Sequence, residues 1–244
     1  MALLEIRGLR KTFRTLRALD GVDVDVQAGT FHGLIGPNGS GKSTLLKAIA
    51  GDHVADAGTI AFDGRDITRA TPYERARAGL SLKFQITAVL PELSVYDNVL
   101  LARQSGESLA KLLMSSSRRR LDGEIGALLE KFRLIDRADD LAGELSHGQQ
   151  QWLEIAMALA LSPKLLLLDE PTGGMSPEER RATGRLLEPI KAHCTLIIVE
   201  HDLHFIRDIC DHLTVLDQGR VLDQGDVETI QRSPKVQQVF TTRV

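Results

Sequence analysis

The stretch that decides the fold is a glycine-rich loop, Gly36-Pro37-Asn38-Gly39-Ser40-Gly41-Lys42-Ser43. It matches the pattern G-x-x-x-x-G-K-[ST] and lies between an apolar run over Phe31–Ile35 and a helical pattern over Lys42–Ala50, the setting this motif requires. Glycines let backbone N–H groups turn inward around phosphate oxygens, and a helix N-terminus adds a partial positive charge. The stretch therefore predicts a phosphate-binding loop, and a plain glycine-rich turn before a helix is the weaker interpretation.

The side chains of this loop indicate its ligand. Lys42 can reach the β- and γ-phosphates of a nucleotide, and the Ser43 hydroxyl can ligate Mg²⁺. We expect ATP and Mg²⁺ as cofactors. The residues predicted to bind ATP are Gly36, Pro37, Asn38, Gly39, Ser40, Gly41, Lys42, Ser43 and Thr44.

Two carboxylates, Asp169 and Glu170, follow a second apolar run, the four leucines over Leu165–Leu168. At the end of a buried strand, Asp169 can hold the Mg²⁺ shell and Glu170 can act as the general base for the attacking water. Taken alone, the pair is equally consistent with the start of a solvated loop. In a chain that also carries a phosphate loop, the catalytic interpretation is favoured.

A histidine follows a third apolar run, Thr195–Val199, in the sequence Glu200-His201-Asp202. Strand ends of this kind form the edge where such sheets bind ligands. We predict that His201 contacts the γ-phosphate, with a simple hydrogen-bonded polar side chain as the alternative. His201 and His204 do not predict a metal site, because no further ligand cluster accompanies them.

Apolar runs of two kinds predict the fold class. The three runs that precede the candidate residues do not alternate, as expected for strands buried on both faces of a parallel sheet. The valines of Val22–Val26 instead alternate with aspartates, and Leu4-Glu5-Ile6 is a plausible partner strand. With Gly58–Phe62 and a hairpin over residues 215–222, these segments predict an antiparallel sheet. We expect an α/β phosphate-loop NTPase core with an antiparallel β margin.

The middle of the chain has a different pattern. Residues 88–150 contain helical patterns such as Val95–Ala102 and Leu121–Phe132 and no convincing strand. They predict an inserted α-helical subdomain. We therefore expect a nucleotide-binding core over residues 1–87 and 151–244, with the helical subdomain over residues 88–150.

Composition excludes several classes of protein. The chain has 244 residues, 43% of them hydrophobic, and a net charge of −3, so strong attraction to nucleic acid is not indicated. The two cysteines, Cys194 and Cys210, fit a reducing compartment. No apolar stretch approaches the ~18–20 residues of a membrane span. If the protein works at a membrane, we expect it to lie on the surface through a partner.

The segment Leu145-Ser146-His147-Gly148-Gln149 precedes a helical run over Trp152–Leu161. Ser146 and Gln149 have the spacing of a capping box, which predicts the start of a helix. The same helix N-terminus can bind an anion. Capping in the free protein and phosphate contact in a closed state are compatible.

Together, these motifs resemble the ATP-binding cassette (ABC) ATPases almost end to end. The match includes the phosphate loop, Gln85 in Leu82-Lys83-Phe84-Gln85, the signature segment over residues 145–149, the acidic pair and His201. The resemblance implies a two-lobed fold with a RecA-like core and a head-to-tail dimer that sandwiches two ATPs. The signature residues Ser146, Gly148 and Gln149 would then contact the nucleotide held by the partner.

The resemblance also assigns two residues outside these motifs. Phe13 looks like the aromatic residue that stacks on adenine, with core packing as the alternative. Gln85 would lie between the two lobes, ligate Mg²⁺ and hydrogen-bond the attacking water.

Two departures from the usual ABC pattern narrow the resemblance. His147 replaces the first glycine of the usual Leu-Ser-Gly-Gly-Gln, and the loop over Pro171–Ser176 lacks the aspartate common near its end. These variants, with Asp63–Thr68, look like the ATPases of branched-chain amino acid and of urea or short-amide importers. An ABC exporter, for lipid or another solute, and a soluble ABC ATPase without transport function are the alternatives.

The importer resemblance implies specific partners. They are a second ABC ATPase in a homo- or heterodimer, two membrane permeases and, indirectly, a periplasmic solute-binding protein. No nucleic acid partner is expected. The protein would be peripheral, on the cytoplasmic face of the inner membrane.

Overall fold

The computed structural model of the chain describes residues 2–83, 89–105 and 117–242. The strands in these ranges are β1 (Ala2–Phe13), β2 (Leu16–Gln27), β3 (Phe31–Ile35), β4 (Ala57–Phe62), β5 (Arg65–Asp66), β6 (Leu80–Lys83), β7 (Leu165–Asp169), β8 (Thr195–Val199), β9 (His212–Asp217) and β10 (Arg220–Asp226). The helices in the same ranges are α1 (Lys42–Ala50), α2 (Pro72–Ala78), α3 (Val95–Gln104), α4 (Ser117–Lys131), α5 (His147–Leu159), α6 (Pro177–Leu187), α7 (Leu203–Ile209), α8 (Val227–Arg232) and α9 (Pro234–Thr242).

An antiparallel sheet forms one margin of the fold, with four strands in the order β2-β1-β4-β5. Leu4 pairs with Val26 and Ile6 with Val24, and these side chains are buried. The aspartates between the valines are exposed, because successive side chains of a strand point to opposite faces. The predicted pairing of these two strands is confirmed.

The central sheet has six strands in the order β10-β9-β3-β8-β7-β6. The neighbours from β9 to β6 are all parallel, and every residue of β3, β7 and β8 is buried. This confirms that the three non-alternating runs are strands covered on both faces. β6 was not predicted from the sequence.

The hairpin of β9 and β10 corrects one expectation. The sequence grouped it with the antiparallel margin, but it extends the central sheet, because β9 pairs in parallel with β3. Only β10 runs antiparallel, at the edge beyond β9. A hairpin is a local signal, and it does not reveal which more distant strand its first arm will join.

Two apolar cores lie on opposite faces of the central sheet. The first lies between the two sheets around α1, where Leu45, Leu46 and Ile49 pack against both. The second covers the other face and joins it to the helices that follow β6. Its contributors include Val99 of α3, Leu129 of α4, Leu153 of α5, Leu187 of α6 and Phe205 of α7.

The parallel strands bring their carboxyl ends to one edge of the central sheet. Three loops meet there: residues 36–41 after β3, residues 170–176 after β7 and residues 200–202 after β8. The phosphate loop, the acidic pair and His201 therefore lie together at the edge where open α/β sheets bind ligands.

None of the described helices is both long and apolar enough to cross a membrane.

Candidate functional site

The phosphate loop requires glycine at two positions for different contacts. A Cβ on Gly36 would lie 2.1 Å from the carbonyl oxygen of Leu216, and a Cβ on Gly41 would lie 2.6 Å from that of Ala18. Both atoms belong to backbone and cannot move aside as a flexible side chain would. Gly41 also has a φ of +106°, in the region that favours glycine. The loop is therefore packed tightly against β9 and β2.

Lys42 is held inside the loop that precedes it. Its side chain is 6% exposed, and Nζ donates hydrogen bonds to the carbonyl oxygens of Gly36 at 2.8 Å and Pro37 at 3.0 Å. Burial lowers the pKa of Lys42, while the nearby Glu170 and Asp169 act in the opposite direction. No side chain caps the N-terminus of α1. A cation and a helix N-terminus therefore face the same space, as phosphate binding requires.

Asp169 and Ser43 form the candidate cation site. Asp169 ends β7, is 5% exposed, and shares a side-chain hydrogen bond with Ser43. Burial, followed by the neighbouring Glu170, raises the pKa of Asp169. Its Oδ1 atom is buried and has no hydrogen-bond partner within the described residues. An oxygen of this kind beside a hydroxyl is a ligand set that suits Mg²⁺, so the residues present fit the expected ion.

Glu170 and His201 come together from two neighbouring strands. The Nε2 atom of His201 lies 2.5 Å from Oε1 of Glu170. Their side chains are 26% exposed for Glu170 and 48% for His201, so both remain accessible from the cleft. Glu170 has a φ of +49°, a left-handed conformation that is uncommon for a residue with a side chain. Strained backbone of this kind clusters at functional sites.

A cleft brings these residues next to the phosphate loop. It is lined by Phe13, Leu16, Arg17, Ala18, Asn38, Gly39, Gly41, Lys42, Ser43, Thr44, Glu170, His201 and Gln218. Gly36, Pro37 and Ser40 do not line it. The Gly36 and Pro37 carbonyls hold Lys42, and Ser40 is buried. The sequence missed Leu16, Arg17, Ala18 and Gln218, which no motif marks.

Phe13 lies at the end of β1 and lines the cleft. Its side chain is 39% exposed, which does not fit the alternative of core packing. The Nζ atom of Lys11 lies 5.4 Å from the centre of its ring, and the ring of His53 meets it edge-on at 5.1 Å. One aromatic face at the cleft is consistent with the predicted stacking on adenine.

The signature residues lie apart from this cleft. Ser146 and Gln149 cap α5 reciprocally: the Gln149 N–H donates to Ser146 Oγ at 3.3 Å, and the Ser146 N–H donates to Gln149 Oε1 at 3.0 Å. A Cβ on Gly148 would lie 2.6 Å from Oε1 of Glu179 on α6. None of the three lines the cleft in the described part of the chain. Gln85, the remaining predicted site residue, lies outside the described residues.

The unusual His147 contacts the loop that follows Glu170. Its Nε2 atom lies 3.0 Å from the carbonyl oxygen of Gly173. The same loop ends at Ser176, which caps α6 with Glu179 in the predicted capping box. The signature segment and the loop after β7 are thus adjacent within one chain.

Comparison with known proteins places this geometry in a family. Residues 19–173 match the family described as ABC transporter. The chain is 36% identical over 248 residues to the probable branched-chain amino acid transport ATP-binding protein LivG of Archaeoglobus fulgidus, covering 98% of this chain and 95% of that protein. It is 32% identical over 243 residues to the high-affinity branched-chain amino acid transport ATP-binding protein BraF of Pseudomonas aeruginosa, covering 96% and 95%.

A solved structure shares the whole fold. It is an ATP-binding cassette of an ABC transporter in its ADP conformation, which superposes with a TM-score of 0.89, at 33% identity and over 99% of each chain. The phosphate loop, the acidic pair and His201 meet at one edge of the sheet, as a nucleotide site of this family requires. The chain therefore belongs to the ABC transporter family, as an ATP-binding cassette that hydrolyses ATP with Mg²⁺.

Proposed function

We propose that this protein is the ATPase subunit of an importer and energises uptake of branched-chain amino acids, or of urea and short amides, through membrane permeases. The observation that carries ATP hydrolysis is the convergence of Lys42, Glu170 and His201 on one cleft. The import assignment is supported by two nearly full-length relatives whose names specify branched-chain amino acid transport. Urea and short amides rest only on the sequence resemblance of the signature segment, the loop over Pro171–Ser176 and the segment Asp63–Thr68.

The residues predicted from the sequence have proposed roles in the reaction. Lys42 pairs with the β- and γ-phosphates, and Glu170 accepts the proton of the attacking water. His201 contacts the γ-phosphate, and Phe13 stacks on adenine. Mg²⁺, held by Ser43, Asp169 and Gln85, neutralises phosphate charge when it is bound.

The working unit is proposed to be a dimer, either of two copies or of this chain with a related ATPase. Ser146, Gly148 and Gln149 do not line the cleft of their own chain among the described residues. In a head-to-tail pair each of them would contact the partner's nucleotide. This arrangement would explain why the signature segment lies apart from the cleft of its own chain.

The membrane components are also part of the proposal. Two permeases would anchor the ATPase dimer on the cytoplasmic face of the inner membrane, and a periplasmic protein would deliver the solute to them. We propose residues 88–150 as the helical subdomain that mediates this contact, supported by the packing of α3 and α4 against α5. Residues 1–87 and 151–244 would form the core, and Gln85 would link the two.

Two other functions compete with import. An exporter ATPase would have the same cleft, and so would a soluble ABC ATPase. Co-purification separates all three. An importer subunit co-purifies with permeases and responds to a solute-loaded binding protein, an exporter responds to solute on its own side of the membrane, and a soluble ATPase fractionates independently of permeases.

The test of the chemistry is Glu170→Gln. This change keeps the shape of the side chain but removes its ability to accept a proton, so hydrolysis should fall by about a hundredfold or more. ATP binding should hold or tighten, because a negative charge near the γ-phosphate is lost. Phosphate release and nucleotide titration measure the two quantities.

Because a heteromeric partner can have its own intact site, single-site and double-site variants of the co-purified pair must be compared. Substantial hydrolysis at the altered site would exclude Glu170 as the base.

A further inference from the structure

A buried carboxylate joins the two loops that carry the proposed catalytic pair. Glu200 follows β8 and is 5% exposed. Its Oε1 atom accepts hydrogen bonds from the Thr172 backbone N–H at 2.8 Å and from the Thr172 hydroxyl at 2.6 Å. Its Oε2 atom accepts the backbone N–H of His201 at 3.0 Å. Thr172 is itself only 3% exposed, so these bonds lie in the interior.

These bonds act on both sides of the contact between Glu170 and His201. Thr172 follows Glu170 by two positions, and His201 comes directly after Glu200. The backbone N–H of Glu170 also donates to the carbonyl oxygen of Val199, at 2.9 Å. Glu170 keeps a left-handed conformation, which persists only where the surrounding structure enforces it. Glu200 supplies two bonds to the loop that follows Glu170 and one to the His201 backbone.

A second tie joins the same two loops independently. Arg180 on α6 donates from Nε to the carbonyl oxygen of Met175 at 3.1 Å and from Nη1 to the Asp202 carboxylate at 2.5 Å. Because this tie does not involve Glu200, the loops remain attached when Glu200 is changed. Variants of Glu200 therefore test how Glu170 and His201 are positioned, and not whether the two loops stay attached to each other.

We propose that Glu200 is a positioning residue for ATP hydrolysis, which fixes the position of the Glu170 loop relative to the His201 backbone. It is buried, does not line the cleft formed by the described residues, and acts through those two residues. The inference deepens the proposed function and rests on the roles assigned there to Glu170 and His201.

Glu200→Gln is the sharpest single change. An amide has one accepting oxygen, so its NH₂ group must face either the two Thr172 donors or the His201 N–H. The variant therefore loses the hydrogen bonds of one side, either those from Thr172 or that from His201, and keeps the size and shape of the side chain. We expect kcat for ATP to fall about 10- to 100-fold, since a displacement of about 1 Å can cost 10²-fold. KM and Kd for ATP should change less than about threefold, because Lys42 and the phosphate loop are untouched.

Thr172 offers a graded second probe that leaves the carboxylate in place. Thr172→Val removes only the hydroxyl and keeps the backbone N–H, so its kcat should lie between those of the wild type and Glu200→Gln. Thr172→Ser keeps the hydroxyl and should restore most of the activity. A simple packing role for Thr172 predicts the reverse order, because valine preserves its volume better than serine does.

The chain contains a matched control at the start of α2. Glu74 Oε2 accepts the backbone N–H of Thr71 at 2.7 Å and the Thr71 hydroxyl at 2.9 Å, the same donor types that Glu200 takes from Thr172. Glu74 is not among the described residues that line the cleft. Glu74→Gln should leave kcat and KM unchanged. Thermal unfolding of every variant establishes that the assays are made on folded protein.

The double variant Glu170→Gln/Glu200→Gln tests whether Glu200 acts through Glu170. Because the second change then has no base left to misplace, it should lower phosphate release by less than it does in the wild-type background, and any remaining loss would act through His201. Wild-type kcat in Glu200→Gln, an undiminished loss from the second change in the double variant, or a rise of Kd in proportion to the loss of kcat would each overturn the positioning role. Full hydrolysis by Glu170→Gln would instead overturn the proposed function. All assays use the full chain, with its partner ATPase where one co-purifies.

Discussion

The N-termini of α1 and α5 are both expected to contact phosphate, yet they are built differently. The start of α1 follows Gly41 and has no side-chain cap, with Lys42 buried beside it. The start of α5 has a complete capping box, in which Ser146 and Gln149 bind each other's backbone N–H groups. The first end presents its donors to a ligand, whereas the second satisfies them within the chain.

This difference suggests how the two ends are used. The phosphate-loop end has no side-chain cap to displace before it accepts a nucleotide, so we expect a single chain to bind ATP. In the proposed dimer, the signature end would exchange its own cap for an external phosphate, and such a cap stabilises a helix by about 1 kcal/mol. The partner's nucleotide would have to offset that loss. We therefore expect the contact at the signature end to be weaker than the contact at the phosphate loop.

The largest expected effect is on ATP affinity, which should depend on the N-terminus of α1 and hardly on that of α5. Lys42→Ala removes the cation at the phosphate loop, and we expect the ATP affinity of the isolated chain to fall roughly 100-fold, about 3 kcal/mol. Ser146→Ala should leave the affinity of the isolated chain within about twofold. Titration with Mg²⁺ and ATP at concentrations that keep the chain monomeric measures both. Equal losses in the two variants would abolish the distinction between the ends.

An intermediate effect concerns pH and β3, the strand that precedes the phosphate loop and α1. His32 on β3 lies 2.8 Å from the Thr214 hydroxyl on β9, and burial, with a smaller contribution from His212, lowers its pKa to about 4. Between pH 6.5 and 4 the unfolded chain binds a proton at this site that the folded chain excludes. Stability from this group is therefore present above pH 6.5 and is lost as the pH falls towards 4.

We expect about 2 kcal/mol of this stability to be lost between pH 7 and pH 5. In His32→Gln the corresponding part of the pH dependence should be absent, whatever the variant's own stability. Urea unfolding of both proteins at the two pH values gives the comparison. Parallel pH profiles in the two proteins would contradict the assignment.

The smallest expected effect tests the cap at α5. Ser146→Ala should lower the free energy of unfolding by about 1 kcal/mol, the usual cost of losing an N-cap. Thr71→Ala removes the same kind of capping box from α2 and should cost a similar amount. The two variants should differ in the steady-state ATPase activity of the dimer, which only Ser146→Ala is expected to reduce. If both variants retain full activity, the signature end serves only to start its helix.

Much of the central sheet was predictable because its signals are strong and local. The four leucines over residues 165–168 and the run over residues 195–199 have no polar residue to suggest alternation, and both are buried strands. The glycines and Lys42 placed the phosphate loop after β3. Because parallel strands share a carboxyl edge, these assignments already brought Glu170 close to His201.

The features that were missed depend on contacts between distant segments. β6 ends in Lys83, a residue that looks exposed in the sequence, but its side chain is buried against Glu154 of α5 at 3.0 Å. The sequence alone suggested no role for Glu200, because His201 was sufficient to account for the polar residues at the end of β8. A carboxylate that directly follows an entirely apolar strand was the available signal. Its partner Thr172 lies on another loop and becomes visible only when the strands are paired.

The position of β3 in the sheet has a consequence for the order of synthesis. The phosphate loop emerges early from the ribosome, but β3 pairs with β8 and β9, which begin at Thr195 and His212. A nascent chain that ends within α6 carries all the residues of the loop and neither of the strands that pair with β3. We therefore expect such a chain to bind ATP poorly until the segment that includes His201 has also been translated. A half-made chain would then hold nucleotide only once it also carries the residues proposed to hydrolyse it.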